Sequence, residues 1–191
     1  MRIVVGITGA SSPILGIRTL EALRDAGVET HLVVSVGAQR VIGLETDWTL
    51  EAIRELAHTA YGARDMAAPI ASGSFPTHGM AIVPCSMKAL SAVAYSHATD
   101  LVARAADVTL KERRTLVLVP RETPLHLGHL RAMERAAEIG AVILPPVIGH
   151  YYRPVSVDDV VDHLVGRILD QLGVEHALSS RWAGVEAIEE S

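Results

Sequence analysis

The sequence is poor in the groups that stabilise extracellular modules or bind nucleic acids. Its 191 residues include one cysteine, so no disulfide can form within the chain, and no Cys/His spacing of the zinc-binding kind surrounds it. The net charge is −5 and the basic residues are scattered, which leaves no broad cationic face for nucleic acid. We therefore expect a cytoplasmic protein that does not bind nucleic acid.

Long apolar runs and aromatic residues are also scarce. The N-terminal apolar run is interrupted by glycine and serine after a few residues, which is too short for a secretory signal or a membrane span. Aromatic residues make up 4% of the chain although 49% of it is hydrophobic, so small aliphatic side chains dominate. A chain of this size would struggle to bury all of them, and we expect a homo-oligomer.

The chain alternates between strand and helix patterns, without a repeat or a linker. Strands are predicted at 2–8, 30–35, 80–83, 115–119 and 141–144, and helices at 14–27, from about 37, and at 47–60, 89–94, 100–110, 125–139 and 157–172. This alternation predicts an α/β fold: a three-layer α/β/α, Rossmann-like or flavodoxin-like architecture with a doubly wound parallel sheet. We expect one domain over 1–191, with a C-terminal tail from about residue 173.

Polar residues follow several of the predicted strands. They include P-C-S-M-K at 84–88 and V-P-R-E at 119–122, and ligands of open parallel sheets bind beyond the carboxyl ends of the strands. The first turn, G-I-T-G-A-S-S-P, matches neither the dinucleotide nor the ATP pattern. Ser12 before Pro13 is predicted to cap the first helix. With the Ser11 hydroxyl nearby, an anion site and an ordinary tight turn are equally good interpretations.

Other chemically active residues have plain structural interpretations. Cys85 at a strand end is predicted to pack in the core rather than to act as a nucleophile, because free cysteine is among the most buried residue types. His126 and His129 lack a third ligand at a suggestive spacing, so we expect capping or surface roles and no metal. Arg113 and Arg114 are expected on a solvated face. Arg121 and Glu122 follow a strong strand, and we expect them in a functional site.

Six motifs together resemble one known family. They are G-A-S at 9–11, S-G-S-F at 72–75, P-C-S-M-K at 84–88, R-A-A-D-V-T-L-K-E-R-R at 104–114, L-V-L-V-P-R-E-T-P-L-H-L-G-H-L at 116–130 and G-A-V-I-L-P-P at 140–146. The pattern, from about Arg2 to Trp182, resembles the UbiX family of flavin prenyltransferases. The resemblance implies a homododecameric flavodoxin-like enzyme that transfers a dimethylallyl group from dimethylallyl monophosphate to N5 and C6 of reduced FMN. It also implies that no metal is required and that UbiD-type decarboxylases receive the prenylated FMN.

The resemblance also implies roles for residues at matching positions. Those that resemble FMN contacts are Gly9, Ala10, Ser11, Ser35, Ser86, Met87, Lys88, Ala89 and Arg121. Those that resemble ligands of the substrate phosphate are Lys111, Glu122, Tyr151 and Arg167, joined by Arg104, with Arg104 and Lys111 acting across a subunit boundary. Ser11 and Glu122 are the candidates for proton transfer, and Trp182 resembles an aromatic residue that covers the prenyl site and stabilises an allylic cation through its π face.

The sequence departs from the family pattern at three positions and leaves two other functions open. Ser12 and Pro13 stand where the family has Gly and a small residue, and Ala89 stands where Thr is common, so we expect altered flavin contacts. One alternative is a flavin-binding accessory subunit of a hydroxyarylic acid decarboxylase. The other is an FMN-dependent cysteine-type decarboxylase, but neither its histidine after the first helix nor its P-x-M-N-x-x-M-W segment is found here.

Overall fold

Six parallel strands in one sheet organise residues 1–179, the part of the chain that this computed structural model describes. The sheet order is β3-β2-β1-β4-β5-β6, and every neighbouring pair is parallel. The strands are β1 (Arg2–Ile7), β2 (Glu29–Val34), β3 (Thr59–Tyr61), β4 (Gly79–Cys85), β5 (Thr115–Pro120) and β6 (Val142–Ile143). Without the short edge strand β3, the order is that of flavodoxin-like folds.

Helices cover both faces of the sheet. They are α1 (Ile14–Asp25), α2 (Val36–Glu45), α3 (Leu50–Glu55), α4 (Met87–Ala94), α5 (Leu101–Lys111), α6 (Leu127–Glu138) and α7 (Val157–Leu172). One core cluster joins the sheet to α1, α2, α3 and α7, and the other joins it to α4, α5 and α6. The predicted three-layer α/β/α fold is therefore confirmed.

The alternation of side chains along β1 shows how one strand serves both cores. Ile3 and Val5 are fully buried in the cluster under α1 and α7, whereas Val4 points into the cluster under α4 and α5. Successive residues of a strand face opposite sides, so a strand covered on both faces has to be apolar throughout. This requirement explains why the strands read as continuous apolar runs.

The sheet order creates a topological switch point between β1 and β4. The chain leaves β1 toward β2 on one side of the sheet and returns to β4 on the other side. The loops that follow β1 and β4 therefore diverge at the carboxyl edge and leave a crevice between them. All strands point the same way, so the turns after β2 and β5 lie at this edge as well.

Three local predictions were wrong. The helix predicted over 47–60 ends at Glu55, because Thr59–Tyr61 pairs with β2 as an edge strand. The last strand has only two residues, Val142 and Ile143, before a proline pair interrupts the ladder. Ser12 does not cap α1: its φ of 69° is left-handed, whereas a capping residue needs an extended backbone. Its N–H instead donates to the Glu45 carboxylate at 2.8 Å.

Within residues 1–179, no helix has the length and apolar character needed to cross a membrane.

Two helical glycines give a matched test of packing between α1 and the sheet. A Cβ on Gly16 of α1 would lie 2.4 Å from the Val83 carbonyl oxygen, whereas a Cβ on Gly43 of α2 would meet nothing within 4 Å. We expect Gly16→Ala to lower the free energy of unfolding by about 1–3 kcal/mol or more. Gly43→Ala should raise it by about 0.5–1 kcal/mol, because alanine loses less backbone entropy. Urea unfolding at equal protein concentration measures both, and an unchanged midpoint for Gly16→Ala would contradict the packing.

Candidate functional site

A cleft of about 480 Å³ occupies the switch point, and we call it the central cleft. Its walls include Thr8 and Gly9 after β1, Ser35 after β2, Ser86 after β4 and Ala103 at the start of α5. Its volume falls in the usual range for small-molecule sites, about 300–1,000 Å³. The sequence therefore brings three separate strand ends to one concave surface.

The hydroxyl of Thr8 joins the ends of β1 and β4. It donates to the Pro84 carbonyl oxygen at 2.8 Å and accepts from the Ser86 backbone N–H at 2.7 Å. The Thr8 N–H also donates to the Pro84 oxygen, at 3.2 Å. Thr8 is buried, so water does not compete for its bond to the Pro84 oxygen, whereas the bond from Ser86 is half-buried. The sequence predicted Thr8 only as the last residue of a strand. A hydroxyl side chain at the end of an otherwise apolar strand could have indicated that it bonds to a neighbouring strand.

Three helices begin at the central cleft, each with a capping side chain. Ser35 accepts from the third N–H of α2 at 3.2 Å, Ser86 does the same for α4 at 3.3 Å, and Asp100 for α5 at 2.9 Å. The uncapped N–H groups of these first turns carry partial positive charge. The side chains of Arg64 and Lys88 also line the cleft. Such a surface suits an anionic ligand.

Small residues bring two turns of the cleft into close approach. A Cβ on Gly9 would lie 3.0 Å from the Gly37 carbonyl carbon, so the turn after β1 and the start of α2 are in backbone contact. Any side chain at position 9 would push these segments apart or project into the cleft. The small residues leave room for a flat ring to lie near the backbone.

A second cleft, of about 380 Å³, lies at the turn after β5, and we call it the apolar cleft. Arg121 and Glu122 stand on one side, and valine and leucine side chains of α7 with the segment 145–148 form most of the rest. The Arg121 N–H donates to the Cys85 carbonyl at 3.1 Å, which holds this turn against the end of β4. Charged groups beside an apolar wall suit a short hydrocarbon with a charged head.

A third group of predicted residues lies at the loop before α7 and on α7 itself. The Tyr151 hydroxyl lies 3.1 Å from Nε2 of His163, and Arg167 is exposed and donates to Asp170 at 2.9 Å. Burial, and then the nearby Arg167 charge, lowers the pKa of His163. His163 was missed because its sequence context is an ordinary amphipathic helix.

The structure places most of the predicted flavin contacts together. Five of them line the central cleft: Gly9, Ser35, Ser86, Lys88 and Ala89. Ala10 and Ser11 continue the turn after Gly9, and Met87 begins α4 next to Ser86. Arg121 lies in the apolar cleft with Glu122 rather than among these five residues.

Two predicted phosphate ligands lie away from the others within one chain. Arg104 donates to the Ala71 carbonyl and to Asp107, both at 3.0 Å. Lys111 ends α5, close to the amino edge of the sheet, where it pairs with Glu112. Glu122 is at the opposite, carboxyl edge, so Lys111 would reach such a site only from another copy of the chain. Trp182 lies outside the described residues.

Cys85 and His126 have the structural positions expected from the sequence, whereas His129 is half-buried and caps none of the described helices. Cys85 is fully buried, and burial raises its thiol pKa to about 12, so the thiol stays neutral at physiological pH. His126 caps α6 by accepting from the Gly128 N–H at 3.0 Å. Among residues 1–179, no cluster of three or more His, Cys, Asp or Glu side chains could hold a metal ion.

Comparison with known proteins identifies the family of this chain. A model of the flavoprotein family matches residues 1–169. The flavin prenyltransferase UbiX of Escherichia coli is 55% identical over 186 residues, which covers 96% of this chain and 98% of that protein. UbiX of Thauera aromatica is also 55% identical, over 97% of this chain and 96% of its own length. This chain belongs to the UbiX flavin prenyltransferase family.

Solved structures of UbiX proteins agree with the fold. AnUbiX (PadA1), in complex with FMN and dimethylallyl pyrophosphate, superimposes with a TM-score of 0.94 at 50% identity, covering 96% of this chain and 97% of that one. A dodecameric FMN-dependent UbiX-like decarboxylase from Escherichia coli also gives 0.94, at 48% identity, over 96% of this chain and 100% of its own. The cysteine decarboxylase SpaF reaches 0.63 at 18% identity, over 76% and 83% of the two chains, and shares the fold alone.

The Thr8 bridge leads to a prediction for the edge of the central cleft. Thr8→Val keeps the shape but removes the buried bond to the Pro84 oxygen and leaves the half-buried Ser86 N–H without its acceptor, so we expect a loss of about 1–3 kcal/mol in stability. The Ser86 amide should then exchange its hydrogen faster relative to amides in the middle of β4. Thr8→Ser retains the hydroxyl and serves as the matched control. Equal exchange rates in Thr8→Val and Thr8→Ser would show that the bridge does not hold the two strand ends.

Proposed function

We propose that this protein is a flavin prenyltransferase that transfers a dimethylallyl group from dimethylallyl monophosphate to N5 and C6 of reduced FMN. One observation carries the proposal: the apolar cleft, which contains Arg121 and Glu122, lies next to the strand ends that form the central cleft, and the central cleft suits an anion. The Arg121 N–H bond to Cys85 ties the two surfaces together. The UbiX relatives, 55% identical over nearly the whole chain, support this assignment.

Reduced FMN is the acceptor, and it supplies the nucleophilic ring atoms. We assign it to the central cleft, where Gly9, Ala10 and Ser11 offer a small-residue turn. Further contacts come from Ser35, the run from Ser86 through Met87 and Lys88 to Ala89, and Arg121. The capped starts of α2, α4 and α5 supply the N–H groups that a phosphate needs.

The donor phosphate has to be stabilised as it departs, and cations do this best when they are already in place. We assign this task to Arg167 and Tyr151 of one chain with Arg104 and Lys111 of a neighbouring copy. The apolar cleft shelters the allylic group from water, which would otherwise trap a carbocation. Glu122 and Ser11 are assigned to proton transfers, and Trp182 to covering the prenyl site.

The proposed site requires a homo-oligomer. Lys111 lies at the far edge of its own sheet from Glu122, so a complete phosphate site needs a second subunit. Exposed apolar side chains near the apolar cleft, Val147, Val155 and Val157, offer a surface for such contacts. We infer a dodecamer, as in the Escherichia coli UbiX-like protein.

The recipient of the product, the absence of a metal requirement and the compartment are inferred from family membership. We infer that UbiD-type decarboxylases receive the prenylated FMN, that no metal takes part, and that the protein acts in the cytoplasm. We infer one flavoprotein-type domain over 1–191, with a C-terminal tail that begins at Gly173, whose left-handed conformation ends α7. A flavin-carrying accessory subunit would bind FMN without forming an adduct, and a cysteine-type decarboxylase is similar only at the level of fold.

The central test is product formation. Purified protein is incubated without oxygen with reduced FMN and dimethylallyl monophosphate, and the flavin is analysed by mass spectrometry. We expect a flavin of higher mass by one prenyl unit, with release of inorganic phosphate. If FMN binds and no adduct forms, the protein is not a prenyltransferase and the accessory-subunit alternative gains support.

Glu122→Gln tests the assigned proton transfer. It keeps the size of the side chain but removes its basicity, so we expect kcat to fall by about 100-fold or more while FMN still binds. Glu138→Gln is the matched control, because Glu138 is an exposed carboxylate at the end of α6 that pairs with Arg135. Full activity in Glu122→Gln would remove Glu122 from the mechanism.

A further inference from the structure

A buried histidine, His163, contacts the exposed Tyr151. His163 on α7 is 7% exposed, whereas Tyr151 is 50% exposed. The Tyr151 hydroxyl lies 3.1 Å from His163 Nε2, and the two rings meet edge to face. Tyr152 stacks on the face of the imidazole, with ring centroids 4.1 Å apart and planes 17° apart. The imidazole is therefore held in one orientation by contacts with two tyrosine rings, which also contact each other.

The surroundings of His163 select one neutral tautomer. Its Nδ1 is buried and has no hydrogen-bond partner within residues 1–179. An unpaired buried N–H is rarer in proteins than an unpaired acceptor, so the proton belongs on Nε2. Nε2–H then donates to the Tyr151 oxygen. That bond occupies a lone pair of the hydroxyl and turns its own hydrogen away from the imidazole.

The charges around the pair favour this state. Burial and Arg167, one turn further along α7, both lower the pKa of His163, and Asp170 opposes them weakly. Because the imidazole is neutral, it does not attract an anion away from Arg167, as a second positive charge would. Tyr151 and Arg167 are the two phosphate ligands that we assign to the same subunit as His163. The neutral imidazole lies near both and fixes the direction of the Tyr151 hydroxyl.

We propose that His163 is a positioning residue, which holds the Tyr151 hydroxyl as a hydrogen-bond donor to the phosphate of the prenyl substrate. The inference rests on the proposed function for the identity of the anion. Whichever anion binds, the imidazole acts only through Tyr151 and touches no reacting atom. The effect should therefore be seen in phosphate binding rather than in flavin binding.

The test is a double-mutant cycle read by phosphate affinity. His163→Phe keeps an aromatic ring stacked on Tyr152 and removes Nε2, Tyr151→Phe removes the hydroxyl, and the double variant removes both. Inorganic phosphate is titrated calorimetrically into each FMN-loaded protein, and KM for dimethylallyl monophosphate is measured beside it. Each single variant should weaken phosphate binding by about two- to tenfold, the worth of one hydrogen bond. The double variant should be no weaker than Tyr151→Phe, because both act through the same bond.

Two further variants separate positioning from general damage. His163→Gln can place an amide N–H near the position of Nε2, so it should recover most of the phosphate affinity. Val165→Ala, a fully buried core position on the same helix, should lower stability without changing phosphate affinity. If His163→Phe does not assemble, His163→Leu takes its place in the cycle with the same expectation.

The proposal is overturned if His163→Phe binds phosphate as tightly as the wild type, or if the losses of the two single variants multiply in the double variant. It is equally overturned if the wild-type protein binds no phosphate. Failure of the wild type to form a prenylated flavin would instead refute the proposed function. The phosphate titration would still decide the role of His163 in that case.

Discussion

The hydrogen bonds of Thr8 are the interaction on which the arrangement of this site depends. One buried hydroxyl joins the end of β1 to the end of β4, the two neighbouring parallel strands between which the strand order reverses. Because these strand ends are held together, the turn after Gly9 and the start of α4 at Ser86 face each other across a crevice of defined width. The three helix starts of the central cleft are positioned by the same edge.

The site divides into surfaces of different chemistry, and this division supports the proposed reaction. N–H groups and small residues line the central cleft, whereas aliphatic side chains of α7 line the apolar cleft. Arg121 and Glu122 belong to the apolar cleft, and the Arg121 N–H bond to the end of β4 connects this cleft to the strand ends beside the central cleft. Ionisation of an allylic phosphate needs charge at one end of the substrate and dry apolar walls at the other.

Much of the fold and part of the site could be predicted from the sequence. Continuous apolar strands alternating with amphipathic helices led to the parallel sheet, and the helices predicted from about 37 and at 89–94 begin within two residues of the observed starts of α2 and α4. The prediction failed at Ser12, whose left-handed backbone is held by Glu45 from another helix. It also missed Thr8 and His163, because a threonine in a strand and a histidine on a helix have no local pattern that reveals their partners.

The sequence by itself determined which residues are apolar and where most strands and helices begin, because these depend mainly on neighbours within a few positions. It also carried the motifs that mark the family. Only the tertiary structure decided which strand ends meet and that the Tyr151 hydroxyl lies within hydrogen-bonding distance of His163. It also decided that Lys111 lies at the opposite edge of the sheet from Glu122. These facts follow from the strand order and from packing between distant segments, and such long-range contacts are not encoded at any single position.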